Sequence, residues 1–192
     1  FPTPQALVNA LSRLVGRLYV IANCPHTHPH EAHIAVELTA YETHKHKRFG
    51  VCSRFLIEDA LAGAAGVGTE TTVFVHKHKH FRVPGHPDTP MLMIGPGTGI
   101  APFRAFLQTR AKQGAQGAHW LFCDEANAAT DVAPNVAPHL ANCLYGAQLD
   151  EFCHQGWLDK VSVSPHSQIE TALLAQAAEV WQWLHGGAVT YV

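Results

Sequence analysis

The stretch "MLMIGPGTGIAPFRAFLQTR", residues 91–110, decides the fold class of this chain. Five residues, four of them large and apolar, end on a glycine, and a helical pattern begins soon after the run Gly95-Pro96-Gly97-Thr98-Gly99. A strand, a glycine-rich turn and a helix bring backbone N–H groups and the positive end of a helix dipole to one point. Such a point suits a pyrophosphate, because glycine lets a ligand approach the backbone and Pro102 is tolerated in a first helical turn.

The rest of the second half repeats this alternation of short apolar strands and helices, which is typical of a parallel sheet. Strands are predicted at 91–95, 118–123, 159–163 and 188–192, and helices at 101–113, about 144–155 and 168–185. The stretch 125–142 has two prolines and little periodicity, so it is predicted as a loop with partial helix.

The first half is predicted to be β structure, because three segments are rich in β-branched and aromatic residues. They are "GRLYVIAN" (16–23), "AHIAVELTAY" (32–41) and "TETTVFVHKHKHF" (69–81), and a helix is predicted between the last two at 52–63. These strands suggest a small antiparallel barrel. The turn formers of residues 84–90 then divide the chain into a domain at 1–88 and an α/β domain at 89–192.

Composition excludes several functional classes. The chain has 192 residues, a formal net charge of −2 and no long block of like charge, which argues against a nucleic-acid or acidic-membrane surface. No apolar run approaches the roughly 18 residues of a membrane span, and no signal-peptide pattern opens the chain. Five cysteines without a C-x-x-C pair favour a reducing compartment, so a cytoplasmic location is expected.

Histidine is unusually frequent, with 15 residues that include three alternating groups. The groups are His26, His28 and His30; His44 and His46; and His76, His78 and His80. Alternation along a strand would place such side chains on one face, as a metal site requires. No ligand-spaced cysteine or carboxylate cluster accompanies them, so a solvated strand edge or loop is the favoured interpretation and no metal site is expected.

The string "GPGTGIAPFRAFLQ", residues 95–108, resembles the nicotinamide-binding turn of the ferredoxin-NADP reductase superfamily. The similarity is greatest to its diflavin reductases, of the sulfite reductase flavoprotein and cytochrome reductase type. The resemblance implies a β-barrel FAD-binding domain followed by a parallel-sheet α/β nicotinamide-binding domain. It also implies that Gly97, Thr98 and Gly99 contact the nicotinamide cofactor, which is NADPH or NADH.

Two upstream motifs extend the resemblance in the same order. "RLYVIAN" (17–23) is similar to the family strand R-x-Y-S-I-A-S, whose arginine pairs with an FAD phosphate and whose tyrosine packs beside the flavin ring. "GVCSRFL" (50–56) is similar to the family turn that holds the FAD pyrophosphate with backbone amides and a hydroxyl. The flavin contacts that the resemblance implies are Arg17, Leu18, Tyr19, Val20, Tyr41, Gly50, Val51, Cys52 and Ser53.

The sequence departs from the family at two positions near the cofactors. Val20 replaces a serine that hydrogen-bonds the flavin ring, and its methyl groups cannot donate. Ser164 corresponds to a serine of the family's 2′-phosphate site, but Pro165 stands where an arginine would follow. Losing that arginine forfeits charge-assisted hydrogen bonds of roughly 1.5–3 kcal/mol each, which argues against a preference for NADPH.

Two further departures concern the second parallel strand and the end of the chain. The family's Phe-Gly is replaced by Cys123-Asp124, which adds a negative charge near the expected nucleotide region. The chain ends at "TYV", where the family continues with Cys-Gly-Asp, so the nicotinamide domain is expected to be incomplete. No catalytic residue is assigned.

The resemblance implies a flavoprotein reductase module. FAD would accept hydride from NADPH or NADH and pass electrons to a carrier, namely an FMN domain, a ferredoxin-like protein or the haem subunit of sulfite reductase. The alternative is a non-catalytic flavin- or nucleotide-binding module with an assembly or regulatory role. Val20 and the altered phosphate site favour that alternative, whereas the intact glycine turn opposes it.

Overall fold

The computed structural model describes residues 3–11, 14–59, 70–125 and 136–192. The strands are β1 (Ala40–Thr43), β2 (His46–Phe49), β3 (Met91–Gly95), β4 (His119–Asp124), β5 (Lys160–Ser164) and β6 (Val189–Tyr191). The helices are α1 (Pro4–Ala10), α2 (Val51–Arg54), α3 (Ala101–Lys112), α4 (Gly146–His154), α5 (Ile169–Ala175) and α6 (Ala177–His185). A π-helical turn, Phe55–Asp59, continues α2, and a 3₁₀ turn, Gly97–Ile100, leads into α3.

The second half contains a four-stranded sheet in the order β5-β4-β3-β6, with all strands parallel. This confirms the predicted parallel sheet, and each strand begins within one residue of its predicted start. The helix predicted at 168–185 is divided at Gln176. The side chain of Gln176 accepts a hydrogen bond from Ser162 Oγ at 3.0 Å and donates to the Ala172 carbonyl, which fixes the break against β5.

Side chains alternate across the parallel sheet and build a core on each face. On one face Met91, Met93 and Leu121 pack with Phe103 of α3 and Phe152 of α4. On the other face the buried residues are Leu92, Trp120 and Phe122, which pack against α5 and α6. Helices therefore cover both faces of β3, and its carboxyl end is the part of the strand that remains for a ligand.

Arg110 of α3 fixes the connection between the two halves. Its guanidinium is fully buried and donates to the carbonyl oxygens of His86, Pro87 and Thr89 at 2.7–2.9 Å. Its Nε also donates to His119 Nε2 at 3.2 Å. The turn-rich segment 84–90 is therefore tied to the parallel sheet by one side chain.

His119 is held as a neutral hydrogen-bond acceptor for Arg110. Burial of the ring lowers the pKa of His119, and the neighbouring Arg110 charge lowers it as well, although the hydrogen bond to the Trp157 carbonyl opposes both. The other ring nitrogen, Nδ1, lies 2.9 Å from that carbonyl and donates to it when Nε2 accepts.

The first half differs from the prediction. The segments 16–23 and 32–41 share only one bridge, Ile21 with Ile34, and strand structure begins at Ala40. The described part of 69–81 forms no strand, and Val73, Phe74 and Val75 are exposed. A strand needs a neighbour for its N–H and C=O groups; 16–23 and 32–41 pair only at this single bridge, and residues 70–81 have no strand pairing. The small antiparallel sheet is a hairpin, β1 with β2, and a closed barrel is not seen in the described ranges.

Two smaller predictions also change. The helix predicted at 52–63 begins one residue earlier, and residues 60–63 lie outside the described residues. Of the loop predicted at 125–142, residues 126–135 lie outside them as well. The remainder forms turns without a helix and places Leu140 in the core. No helix within the described ranges is long and apolar enough to cross a membrane.

Candidate functional site

The glycine turn lies where the strand order of the parallel sheet reverses. The chain runs from β3 to β4 to β5 on one side, and then returns to place β6 on the other side of β3. In open α/β sheets, ligands bind beyond the carboxyl ends of the strands at such a reversal. Gly95 is the carboxyl end of β3, so the following residues occupy this position.

The fold makes a different demand on each of the three glycines in this turn. A Cβ at Gly95 would lie 2.8 Å from backbone atoms of Gly99 and Ile100, so the end of β3 packs directly against the turn. Gly97 has a φ of +52°, which side chains disfavour. A Cβ at Gly99 would meet only Pro96 Cδ, at 3.5 Å. Apart from that contact, the space that a side chain at position 99 would enter is open.

The helix that follows is anchored firmly, so its amino-terminal end is fixed. Ile100, Phe103 and Leu107 are buried against the sheet, and Pro102 lies in the first turn. The 3₁₀ turn Gly97–Ile100 and α3 form one continuous helical segment. The Gly97 amide is bonded to Asp124 Oδ1 and the Gly99 amide to the Pro96 carbonyl, and the positive end of the helix dipole lies at the sheet edge.

Asp124 joins the glycine turn to the loop after β5. Its Oδ1 accepts a hydrogen bond from the Gly97 amide at 2.6 Å, and its Oδ2 accepts one from the Ser167 amide at 3.1 Å. The imidazole Nδ1 of His166 lies 3.8 Å from the same Oδ2. The residue expected only to add charge near the nucleotide is therefore bonded to the turn itself.

Ser164, the predicted contact at the end of β5, is buried. Its hydroxyl donates to the Cys123 carbonyl at 3.5 Å, and its own carbonyl accepts from the Glu125 amide. Direct contact between this hydroxyl and a nucleotide would require that bond to be broken. The neighbouring Pro165 and His166 are exposed at this edge.

The two predicted flavin motifs come together in the structure through Tyr19 and Cys52. Burial raises the pKa of the Tyr19 hydroxyl and the neighbouring Cys52 thiol raises it further, whereas the Arg17 charge lowers it. The Arg17 side chain is exposed. The segment 17–23 and the turn 50–56 are therefore neighbours.

The turn that begins α2 is held by Ser53. Its hydroxyl donates to the Gly50 carbonyl and accepts from the Thr39 amide, each at 3.2 Å. This hydroxyl is buried and serves the turn, whereas Val51 is exposed and Cys52 is half-buried. The groups of this turn that remain for a phosphate are the first amides of α2.

The structure places the remaining predicted flavin contacts on the surface. Leu18 is 67% exposed and Val20 is 54% exposed, so both flank Tyr19 as uncovered apolar side chains. Tyr41 lies on β1 opposite Arg48 and is also exposed. Its role as a flavin contact stays a prediction.

Two polar residues of α3 that the sequence analysis did not single out connect this helix with the first half. Arg104 donates to the Ala22 carbonyl at 2.8 Å and lies 3.1 Å from His33 Nδ1. Gln108, one turn later, accepts from the Cys24 amide at 2.9 Å. Both side chains are buried. Their spacing of four residues was a signal that they share one helix face.

The histidine groups do not form a metal site in the described ranges. No set of three or more histidine, cysteine, aspartate or glutamate side chains there could hold a metal ion. His78 and His86 instead accept hydrogen bonds from nearby backbone amides. His76, His78 and His80 are exposed in a segment without strand structure, which agrees with the favoured loop interpretation.

Comparisons with known proteins agree with this geometry. Residues 93–133 match the family model of the oxidoreductase NAD-binding domain. The chain is 36% identical over 195 residues to the sulfite reductase [NADPH] flavoprotein alpha-component of Salmonella paratyphi A, with 98% of this chain and 30% of that protein aligned. The corresponding protein of Vibrio vulnificus is 35% identical over 196 residues, covering 99% of this chain and 29% of that protein.

Solved structures show the same fold. The ferredoxin-NADP+ reductase from Plasmodium falciparum superposes with a TM-score of 0.64 at 16% identity, covering 91% of this chain and 63% of that structure. The chain thus has a ferredoxin-NADP reductase-like fold. Over nearly its whole length it is a homologue of sulfite reductase flavoprotein alpha-components, and it spans about 30% of their length.

Proposed function

We propose that this chain is a reductase module that passes electrons from a nicotinamide dinucleotide through FAD to an electron-carrier protein or domain. The observation that carries the proposal is the glycine turn 97–99, which lies at the reversal of the parallel sheet with the open face of Gly99 toward the edge. When bound, the dinucleotide supplies hydride and the flavin converts it into single electrons. The domains proposed for the two cofactors are 1–88 and 89–192.

The glycine turn fits a dinucleotide. The positive end of the helix dipole favours a pyrophosphate, although the Gly97 and Gly99 amides already have partners, and a flat ring can approach Gly99 because only Pro96 Cδ lies near it. Thr98 is half-buried in the same turn and offers a hydroxyl. These residues orient the ligand and bring it close to the backbone, and α3 keeps the turn in place.

The Tyr19–Cys52 neighbourhood fits FAD. Arg17 is exposed and provides a forked donor for a phosphate, while the ring of Tyr19 provides a face for the flavin. The first amides of α2 add donors beside Cys52. The hydroxyl of Ser53 holds the turn, so we assign it a positioning role for these amides.

The electron acceptor that we propose is an FMN domain, a ferredoxin-like carrier or a sulfite reductase haem subunit. The names of the homologues, sulfite reductase flavoprotein components, support the last of these. The five cysteines are all free thiols, which supports a cytoplasmic location. A second candidate function is a non-catalytic flavin-binding module, because Val20 presents only exposed methyl groups beside Tyr19.

The two functions are separated by anaerobic absorption spectroscopy of the purified chain with FAD. Adding NADH or NADPH is expected to bleach the flavin band near neutral pH if the chain is a reductase module. A flavin band that forms but is not bleached by either nucleotide would support the non-catalytic module. No flavin band would contradict the assignments of Arg17 and the α2 turn.

FAD is expected to protect Cys52 from alkylation. At a free FAD concentration about tenfold above Kd, labelling of Cys52 should slow about tenfold, because only the free form reacts. Cys153 on α4 is also half-buried, and it is not one of the residues proposed to bind FAD. Its labelling rate is therefore the internal control. Peptide mass spectrometry of time points gives both rates. If FAD slows the alkylation of both thiols equally, the assignment of Cys52 to the FAD site is contradicted.

The Arg17→Ala variant is expected to bind FAD about 10- to 100-fold more weakly, which corresponds to one charge-assisted contact. Arg82→Ala removes a similar exposed guanidinium outside the proposed site and should leave FAD affinity unchanged. Fluorescence titration of FAD measures both values. Unchanged affinity in Arg17→Ala would count against the phosphate-binding role.

A further inference from the structure

The carboxylate of Asp124 occupies the middle of the proposed nucleotide edge. Its side chain is only 2% exposed, and it accepts backbone amides from the loops after β3 and after β5. One of these amides belongs to Gly97, in the turn that we assign to the dinucleotide. The chain therefore places a fixed negative charge where a nucleotide-binding loop normally presents donors to anions.

Positive side chains are scarce in the nucleotide-binding half. Residues 89–192 contain eight aspartates and glutamates but only four lysines and arginines, and between 113 and 192 the single one is Lys160. Lys160 begins β5, at the opposite edge of the sheet, and its ammonium lies 2.5 Å from Glu179 Oε2. No lysine or arginine in the loops after β4 and β5 can meet a phosphate at the nucleotide edge.

The three other cations of this half are committed or distant. Arg104 is bonded to the Ala22 carbonyl, and Arg110 is bonded to the connection before β3. Lys112 is exposed at the last turn of α3, the end away from the glycine turn. His166 lies beside the expected phosphate position, but its Nδ1 is 3.8 Å from Asp124 Oδ2 and 3.3 Å from the Glu125 carbonyl.

We propose that Asp124 is a specificity-determining residue of the nucleotide site and selects a dinucleotide without a 2′-phosphate, of the NADH type. This inference rests on the proposed function. A dinucleotide whose pyrophosphate lies at the glycine turn extends its adenosine half over the carboxyl ends of β4 and β5. An additional dianionic phosphate there meets the Asp124 carboxylate without a balancing arginine or lysine, so repulsion lowers its affinity.

The same carboxylate also positions the glycine turn. Its bond to the Gly97 amide supports the left-handed conformation of that residue, and its bond to Ser167 ties the β5 loop to it. Asn at 124 removes the charge and keeps one oxygen acceptor, for the Gly97 amide, but its NH2 group replaces the acceptor for the Ser167 amide. Comparing the two nucleotides separates the roles, because a loosened β5 loop acts on both nucleotides whereas the repulsion acts only on the 2′-phosphate.

The test is the affinity of the full chain for NAD+ and NADP+, measured by calorimetry at low and high salt. Wild type is expected to bind NAD+ more tightly. Asp124→Asn should shift the ratio of NADP+ to NAD+ affinity about five- to tenfold toward NADP+ at low salt. High salt should shrink the difference only in part, because the Asp124 carboxylate is buried and buried charges are screened less than exposed ones.

Asp159→Asn is the matched control. Asp159 Oδ2 accepts the His119 amide at 2.7 Å, so it is a carboxylate with a similar backbone bond at the opposite edge of the sheet. Asp159→Asn changes the net charge by the same amount as Asp124→Asn, and it should not change the preference between the two nucleotides. An effect as large as that of Asp124→Asn would overturn the local assignment to Asp124.

The remaining outcomes distinguish failure of the nucleotide selectivity from failure of the proposed function. Equal wild-type affinities, or tighter binding of NADP+, would overturn the selectivity while leaving the proposed function in place. Equal weakening of both nucleotides in Asp124→Asn would also overturn it, since the residue would then act through the fold alone. Wild type that binds neither nucleotide would overturn the proposed function itself, and this inference with it.

Discussion

Gly99→Val is expected to weaken nucleotide binding roughly 100-fold, equivalent to a steric penalty of 2–3 kcal/mol, while the fold stays intact. The added Cβ meets only Pro96 Cδ at 3.5 Å, so the side chain projects into the open face of the glycine turn. Calorimetric titration with NAD+ measures the loss, and thermal unfolding of the variant checks the fold. FAD affinity should not change.

Gly85→Val is the control for this substitution, because a Cβ at Gly85 meets nothing within 4 Å and the residue is exposed. Its nucleotide affinity should match that of wild type. If Gly99→Val keeps its affinity within about threefold, the glycine turn does not contact the dinucleotide. Loss of FAD and nucleotide together would show that the turn has been assigned to the wrong cofactor.

Arg110→Leu is expected to lower the free energy of unfolding by about 3–5 kcal/mol. The substitution leaves three carbonyl oxygens of residues 86–89 without the guanidinium that they share, and it removes the donor to His119. The His86 and Pro87 carbonyls keep backbone amide donors, whereas the Thr89 carbonyl loses its guanidinium partner, and a buried acceptor left without a partner carries a desolvation cost. Urea unfolding followed by tryptophan fluorescence measures the change, because Trp120 is buried in the adjacent strand.

Lys112→Leu provides the comparison for Arg110→Leu. It removes a cation from the same helix, but its side chain is exposed, so a change within about 0.5 kcal/mol is expected. If Arg110→Leu also stays within about 1 kcal/mol of wild type, water replaces the guanidinium at these carbonyls. The connection would then be held by other contacts.

The parallel half of the fold was predictable because its signals are local. The apolar run 91–95 ends on glycines, and buried strands with short connections leave few alternatives. The first half gave weaker signals. The hairpin turn uses His44 and Lys45 with positive φ instead of glycine or asparagine, so no turn signal marked it. The alternating apolar residues near 73–75 predicted a strand, yet no neighbouring strand is present among the described residues.

The motifs of the candidate site were predictable from the sequence, but the hydrogen bonds that join them were not. The sequence indicated the glycine turn and a misplaced charge at Asp124, and both lie at the same sheet edge. It could not indicate that the carboxylate bonds Gly97, because the two residues are 27 positions apart. Arg104 and Arg110 raised no signal either, since charged residues on a helix usually face solvent. Their partners lie far away in sequence, at Ala22 and in the segment 86–89.

Because His119 is held neutral, the stability of the fold depends on pH. Its pKa is lowered in the folded chain, chiefly by burial, so the folded state binds this proton less readily than the unfolded chain does. The stabilisation is complete above the unfolded pKa of about 6.5 and is lost progressively as the pH falls through the folded value. Protonation also removes the acceptor for Arg110. Acid therefore weakens the contact through which Arg110 ties residues 86–89 to the parallel sheet, and neutral pH preserves it.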